Sequence, residues 1–301
     1  MKRILVLGSS NIDHVVRVNA FPQSGETLTA VDYQTSFGGK GANQAVACAR
    51  TGGRVDFFSA LGDDEWAKTY RSHLKKTGVD IRHVKDLTQQ RTGCAFIQVD
   101  RASENLIVVV PGANHAIEPH HLNDIEWRRY RWVIAQMELK SEVTLRLLEI
   151  ARREAFHLVL NPSPYQHFIR DHIDACHQLI LNESEALALF EKCSVRELTW
   201  TAIRKRFRGN LSVIVVTLGA KGAVVFTPRQ RLRLQGRPVE ALDTVGAGDC
   251  FAGSYVSSLE AGCTLKESVH RAIIASSISV TRKGAQESYP TKWEIDRALR
   301  D

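Results

Sequence analysis

The chain has 301 residues, 44% of them hydrophobic and 24% charged, enough to bury a sizeable core in one large α/β domain or two smaller ones. No apolar run reaches the roughly 18 residues that span a bilayer, and MKRILVLGSS turns polar too soon for a secretory leader, which points to a cytoplasmic protein with no membrane partner. The net charge of +7 is dispersed, with short runs such as RKRFR at 204–208; this argues for solvated helix faces rather than a nucleic-acid patch, and a modest positive field suits phosphate substrates. Six scattered cysteines contain no CxxC pair and read as reduced thiols.

In chain order, β-branched apolar runs predict strands at 3–8, 55–61, 132–137, 157–161, 178–182, 212–219 and 222–226. Helical periodicity predicts helices at 41–51, 64–77, 141–155, 183–191, 196–208, 249–262, 266–281 and 291–300. Strands alternating with helices imply a mostly parallel sheet covered on both faces. Two segments break that rhythm. Residues 14–37 alternate without a helix, and 92–110 form two strand-like runs around a polar turn. Both read as antiparallel, and together they predict a small separate sheet able to act as a lid.

Five polar clusters carry the chemistry. DTVGAGDCFAGSY at 243–255 reads as a glycine turn into a helix. The exposed amides of Gly246, Ala247 and Gly248, with the helix dipole, suit an anion or the charge of a transferring phosphoryl group. Asp249, in the first turn, is placed to accept a proton from a hydroxyl; the plainer alternative is a capped structural helix. In SFGGKGANQAVACA at 36–49, Gly38, Gly39 and Gly41 permit close backbone approach, and Lys40 and Asn43 supply polar groups; a tight strand-to-helix turn explains the same pattern. No Walker A loop occurs.

In GSSNIDH at 8–14, Asn11 and Asp13 share one face of an extended backbone and suit vicinal hydroxyls, or simply mark a turn. In LNESEA at 181–186, Asn182 and Glu185 suit water-mediated Mg²⁺ binding or a helix capping box. In VTLGAKGA at 216–223, Thr217, Gly219 and Gly222 border a candidate nucleotide groove. Four of the five clusters directly follow a predicted strand. Ligands of open α/β sheets bind at the carboxyl ends of strands, so one crevice can collect all five.

GGKGANQAVA and DTVGAGDCFAGSY closely resemble the two signature segments of the ribokinase family of sugar kinases, also called PfkB carbohydrate kinases. The likeness runs through nearly the whole chain, from GSSNIDH by way of FPQSGETL, NPSP and NESE to VTRKGAQESYP. It implies a single domain over 1–301, a three-layer α/β/α sandwich with a β-sheet lid from about 14–37 and 92–110, and a homodimer formed through the lid. It implies transfer of the ATP γ-phosphoryl to a sugar hydroxyl, with Asp249 as base and the 246–248 amides as anion hole. Asn11, Asp13, Gly39, Lys40, Asn43 and Glu138 match sugar-binding positions; Asn182 and Glu185 match the motif that organises Mg²⁺ and phosphates. Thr217, Gly219 and Gly222 match the nucleotide site, which Asn182 and Gly248 also border.

An activating K⁺ is also implied, at positions matching the Asp243 carboxylate, the carbonyls of Val245, Ser279, Arg282 and Gly284, and the Ser288 hydroxyl. Asn11 stands where ribose-specific members face the 2-hydroxyl and deoxyribose-preferring ones tend to carry an apolar residue, so D-ribose, phosphorylated at its 5-hydroxyl, is the expected substrate. Leu139-Lys140 follows Glu138 where members more often have a small or apolar pair, which places Lys140 near the site. Another sugar or a nucleoside is the nearest alternative, and a non-catalytic sugar- or nucleotide-binding regulator is the alternative of another class.

Overall fold

The computed structural model describes residues 3–102 and 104–300. Along the chain come β1 (Arg3–Leu7), β2 (Asn11–Arg17), β3 (Asp32–Gly38), α1 (Lys40–Arg50), β4 (Val55–Leu61), α2 (Glu65–Lys76) and β5 (Asp80–Asp86). Next are β6 (Gly93–Val99), β7 (Asn105–Val110), α3 (Ala113–Ala116), β8 (Tyr130–Ala135), α4 (Ser141–Ala151), β9 (His157–Leu160), β10 (Gln178–Asn182) and α5 (Glu183–Phe190). The last third holds α6 (Trp200–Arg206), β11 (Val213–Thr217), β12 (Ala223–Phe226), β13 (Arg231–Leu234), α7 (Ala247–Glu260), α8 (Leu265–Ser279) and α9 (Lys292–Ala298).

Nine strands form one sheet in the order β13-β12-β11-β10-β9-β8-β1-β4-β5, parallel from β5 to β11 and antiparallel at β12 and β13. Strand alternation splits the core in two. Ile4 and Val6 of β1, with Val213 and Val215 of β11, pack under α1, α2, α7, α8 and α9. Leu5, Leu7, Ile214 and Val216 pack on the opposite face under α4, α5 and α6. From β1 the chain runs to β4 and β5 on one side and returns through β8 to β11 on the other. The sequence order therefore reverses between β1 and β8, which opens a crevice at the carboxyl ends of those strands.

The predicted strands and helices all form, with ends shifted by a few residues; the largest shifts are at α6, which starts at Trp200 after a separate turn over Val195–Glu197, and at α4, which ends at Ala151. The strands β5 (DIRHVKD) and β13 (RLRL) were not anticipated. Both are edge strands, and half-solvated edges carry the charges that disguise them as loops.

The second sheet, β3-β2-β6-β7, is built from the two irregular segments. Its outer pairs are antiparallel as expected, but the central β2–β6 pair is parallel. The reason is topological: β2 follows β1 and β6 follows β5, so both leave the carboxyl end of the parallel main sheet in the same direction. The sheet also begins earlier than residue 14, at Asn11, and so contains Asn11 and Asp13. Among the described residues no helix is long and apolar enough to cross a membrane.

Candidate active site

Two helix termini meet at the crevice because their backbones come unusually close. A Cβ on Gly41 would lie 2.4 Å from the Gly8 carbonyl carbon, so the start of α1 can sit directly on the end of β1. A Cβ on Gly253 would lie 2.5 Å from the Gln44 carbonyl oxygen, so α1 and α7 cross in near-backbone contact. That crossing delivers two amides to Asp249. Its Oδ2 accepts from Asn43 Nδ2 at 3.0 Å and its Oδ1 from Gln44 Nε2 at 2.9 Å.

The two amides are held in turn. Gln286 Nε2 donates to Asn43 Oδ1 at 2.9 Å, Gln136 Nε2 to Gln44 Oε1 at 2.6 Å, and Gln44 Nε2 also to Asn161 Oδ1 at 3.0 Å. Asp249 is therefore a carboxylate with fixed orientation, only 7% exposed, at the positive end of a 14-residue helix.

The glycine turn before it has the shape an anion needs. Gly246 has φ +71°, and a Cβ there would lie 2.5 Å from the Tyr289 hydroxyl. The Ala247 N–H already donates to Thr244 O at 3.3 Å, a modest departure from three free amides. Gly248 N–H and Asp249 N–H have no acceptor among the described residues. A Cβ on Gly248 would touch nothing within 4 Å, so the folded chain itself has no use for glycine there. Glycine inside a helix costs about 1 kcal/mol against alanine, which leaves close approach by a ligand as its reason.

This turn joins two cavities. One of about 180 Å³ is polar, with Lys40, Asn182, Glu185 and Asp249 in its wall. The other, of about 340 Å³, is an apolar slot bordered by Thr217, Gly219, Gly222, Phe251 and Ile273. Thr217, Thr244, Ala247 and Gly248 border both. A flat base in the slot and phosphates along the turn match that succession of surfaces. Asn182 and Glu185 close a capping box: Asn182 Oδ1 accepts from Glu185 N at 2.8 Å and Glu185 Oε2 from Asn182 N at 2.9 Å. The plainer reading of that motif is thus realised, and Glu185 still keeps Oε1 without a protein hydrogen bond among the described residues.

On the other wall, Gly39 (φ +87°) starts α1, and a Cβ there would lie 2.8 Å from Asn11 N. Glu138 Oε2 accepts from Lys40 N at 2.9 Å and from Ser9 Oγ. The Asp249 carboxylate, with Glu138, Glu185 and Asp13, raises the Lys40 ammonium above its ordinary pKa despite burial. Asp13 is pushed up to about 7 by burial and by the charges of Glu138, Asp249 and Glu287, against the pull of Lys40. Lys140 does not join them: it pairs with Glu118 at 2.7 Å, because it sits at the N-cap of α4 and the Glu118 carboxylate lies within its reach.

The loop after α8 is stitched to the glycine turn. Asp243 Oδ1 accepts from Val245 N at 3.0 Å and Oδ2 from Gly284 N at 2.9 Å, and Tyr289 Oη donates to Gly246 O at 3.1 Å. Arg282 turns its guanidinium to Glu294 and to Ser288 O, and Ser279 lies at the end of α8. The segments carrying Asp243, Val245, Ser279, Arg282, Gly284 and Ser288 are thus drawn together. Gln44, Gln136, Asn161, Gln286 and Asn114 were not singled out from the sequence. The signal available was polar residues inside apolar or small-residue runs, since buried amides in such runs need partners.

A buried acid at a helix start, an amide turn and a base-sized slot define a phosphotransferase site. The chain belongs to the pfkB family carbohydrate kinases, whose sequence pattern matches residues 1–292; these enzymes transfer phosphoryl groups to a sugar hydroxyl. It is 38% identical over 301 residues to the ribokinase of Haemophilus influenzae, with 97% of each chain covered. The fold is similar to that of Thermotoga maritima ribokinase (TM-score 0.89, 32% identity, 100% of both chains). It is equally similar to Arabidopsis thaliana ribokinase complexed with ribose and ATP (TM-score 0.89, 26% identity, 100% of this chain and 99% of that one).

Proposed function

We propose that this enzyme transfers the γ-phosphoryl of MgATP to the 5-hydroxyl of D-ribose, giving ribose 5-phosphate and ADP. The observation that carries the reading is the Asp249 carboxylate, held by Asn43 and Gln44 beside the open Gly248 and Asp249 amides. Asp249 takes the proton of the attacking hydroxyl, and the amides and Lys40 balance charge on the transferring group. The apolar slot takes the adenine. Asn11, Asp13 and Glu138 supply the donor and acceptors for the remaining sugar hydroxyls, and the small sheet covers them, excluding water.

Mg²⁺ bound with ATP neutralises phosphate charge. Asn182 and Glu185 would hold it through water, which fits the unengaged Glu185 Oε1 and the preference of Mg²⁺ for few direct protein ligands. The all-oxygen set of Asp243, Val245, Ser279, Arg282, Gly284 and Ser288 suits K⁺ by hardness, with Arg282's charge already neutralised by Glu294. A cation there would order the glycine turn that Asp243 and Tyr289 already tether.

A homodimer through the small sheet is supported by β7, an edge strand whose Leu106, Ile107, Val108 and Val109 are all more than half exposed. Light scattering then returns twice the chain mass of 33.6 kDa, and a mass of one chain refutes the dimer. The substrate is tested by ADP release with MgATP and K⁺ on D-ribose, 2-deoxy-D-ribose, D-fructose, D-xylose, adenosine and pseudouridine. Ribose far ahead supports the reading. Another winner keeps the kinase and moves the sugar, and no turnover on any leaves a substrate outside this panel or the regulator.

A further inference from the structure

We infer that Asn114, whose amide is engaged by Ser10 and Asn11, sets which end of the Asn11 amide faces the sugar, and thereby makes Asn11 a hydrogen-bond donor to the 2-hydroxyl. The inference rests on the ribose reading above and deepens it.

Asn114 lies in α3, 2% exposed, and clasps the backbone that leads into β2. Its Oδ1 accepts from Ser10 N at 2.9 Å and its Nδ2 donates to Ser10 O at 3.1 Å. A backbone N–H can only donate and a carbonyl can only accept, so this pair of bonds admits one orientation of the Asn114 amide. The same Nδ2 donates to Asn11 Oδ1 at 2.8 Å. Turning Asn11 over would set two NH₂ groups against each other, so the orientation passes from backbone to Asn114 to Asn11. Asn11 Nδ2 is left on the other side with no protein acceptor among the described residues.

Asn11 cannot escape by moving its backbone, which is paired with Gly38 of β3 and Gly93 of β6. Nor is there slack around the clasp. A Cβ on Gly93 would lie 2.2 Å from Asn114 Nδ2 and 2.5 Å from Asn11 Oδ1. Asn114 is thus a positioning residue. A 2-hydroxyl offers a lone pair to Asn11 Nδ2 and keeps its own proton for an acceptor such as Asp13. A 2-deoxy sugar leaves Nδ2 unpaired, and an Asn11 free to rotate loses that discrimination.

The test is the ratio of kcat/KM for D-ribose over 2-deoxy-D-ribose in wild type, Asn114→Ala, Asn114→Asp, Asn11→Ala and Asn11→Ala/Asn114→Ala. Asn114→Asp keeps the acceptor for Ser10 N but turns an oxygen toward Asn11 Oδ1, and it serves if the alanine variant fails to fold. Either change should lower the ratio by about tenfold, through the KM for ribose, with the KM for ATP unmoved. In the Asn11→Ala background, loss of Asn114 should leave the ratio unchanged, which a merely structural role would not predict. A ratio within about twofold of wild type in the Asn114 variants, or additive effects in the double variant, overturns the inference. A wild type that does not prefer ribose overturns the ribose reading and the specificity role with it. The side-chain amide spectrum of the free enzyme, which needs no substrate, separates these failures: slow hydrogen exchange at Asn114 and fast exchange at Asn11 supports the orientation, and the reverse refutes it.

Discussion

Two carboxylates share this crevice under opposite conditions. Asp249, in the main body, accepts hydrogen bonds from two amides that are themselves held by Gln286, Gln136 and Asn161. Asp13, in the small sheet, accepts none among the described residues, and the nearby Glu138, Asp249 and Glu287 charges help burial to push it up to about 7. The proposed base is therefore organised by the protein alone, whereas Asp13, proposed to face the sugar, has no hydrogen-bond donor from the described residues. Catalytic power needs fixed geometry, and selectivity needs a group whose energy depends on the ligand.

The largest effect should come from Asp249→Asn. It removes the proposed base and sets an NH₂ group against one of the two donors, Asn43 Nδ2 or Gln44 Nε2. Turnover should fall by about 10²–10⁴-fold while calorimetry still detects ATP and ribose binding. Wild-type turnover would show that the proton goes elsewhere. Gly248→Ala should separate function from stability on the same wall. The added Cβ meets no protein atom, so stability should hold or rise with the better helix propensity, by up to about 1 kcal/mol. Turnover should still fall about tenfold or more, because the methyl enters the anion hole. Unchanged turnover would move the phosphoryl path away from the turn.

Asp13→Asn probes the other side, with the smallest expected effect on chemistry. A carboxyl raised from 3.8 to about 7 binds more protons folded than unfolded, so ionising it weakens the fold as pH rises. The amide variant carries no such charge. Its stability relative to wild type should therefore change little below about pH 4, gain steadily up to about pH 7, and hold constant above, a gain of a few degrees in melting temperature. Weaker ribose binding should accompany it. A pH-independent difference in melting temperature would sink the claim that Asp13 is held near neutrality by its surroundings.

Much of this was legible in the chain. Leu5 and Leu7 on one face against Ile4 and Val6 on the other follow from simple alternation, and the parallel body follows from alternating strands and helices. Asp249 and the glycine turn were visible because flexible backbone beside an acid at a helix start is a local pattern. The edge strands β5 and β13 were not, since charges suited to solvent hide a strand whose pairing is non-local. Lys140, placed near the site by its neighbour Glu138, is tied to Glu118, a partner 22 residues away.

The sequence by itself determined all elements but the edge strands β5 and β13 and the short α3, together with the two-sided core and the signature segments, because each depends on residues close together in the chain. Tertiary structure alone decided which amides hold Asp249, 205 and 206 residues away along the chain, and how Asn114 turns Asn11 from a distance of 103. Hydrogen-bond polarity passes through space from one fixed backbone group to the next, and no local pattern carries that information.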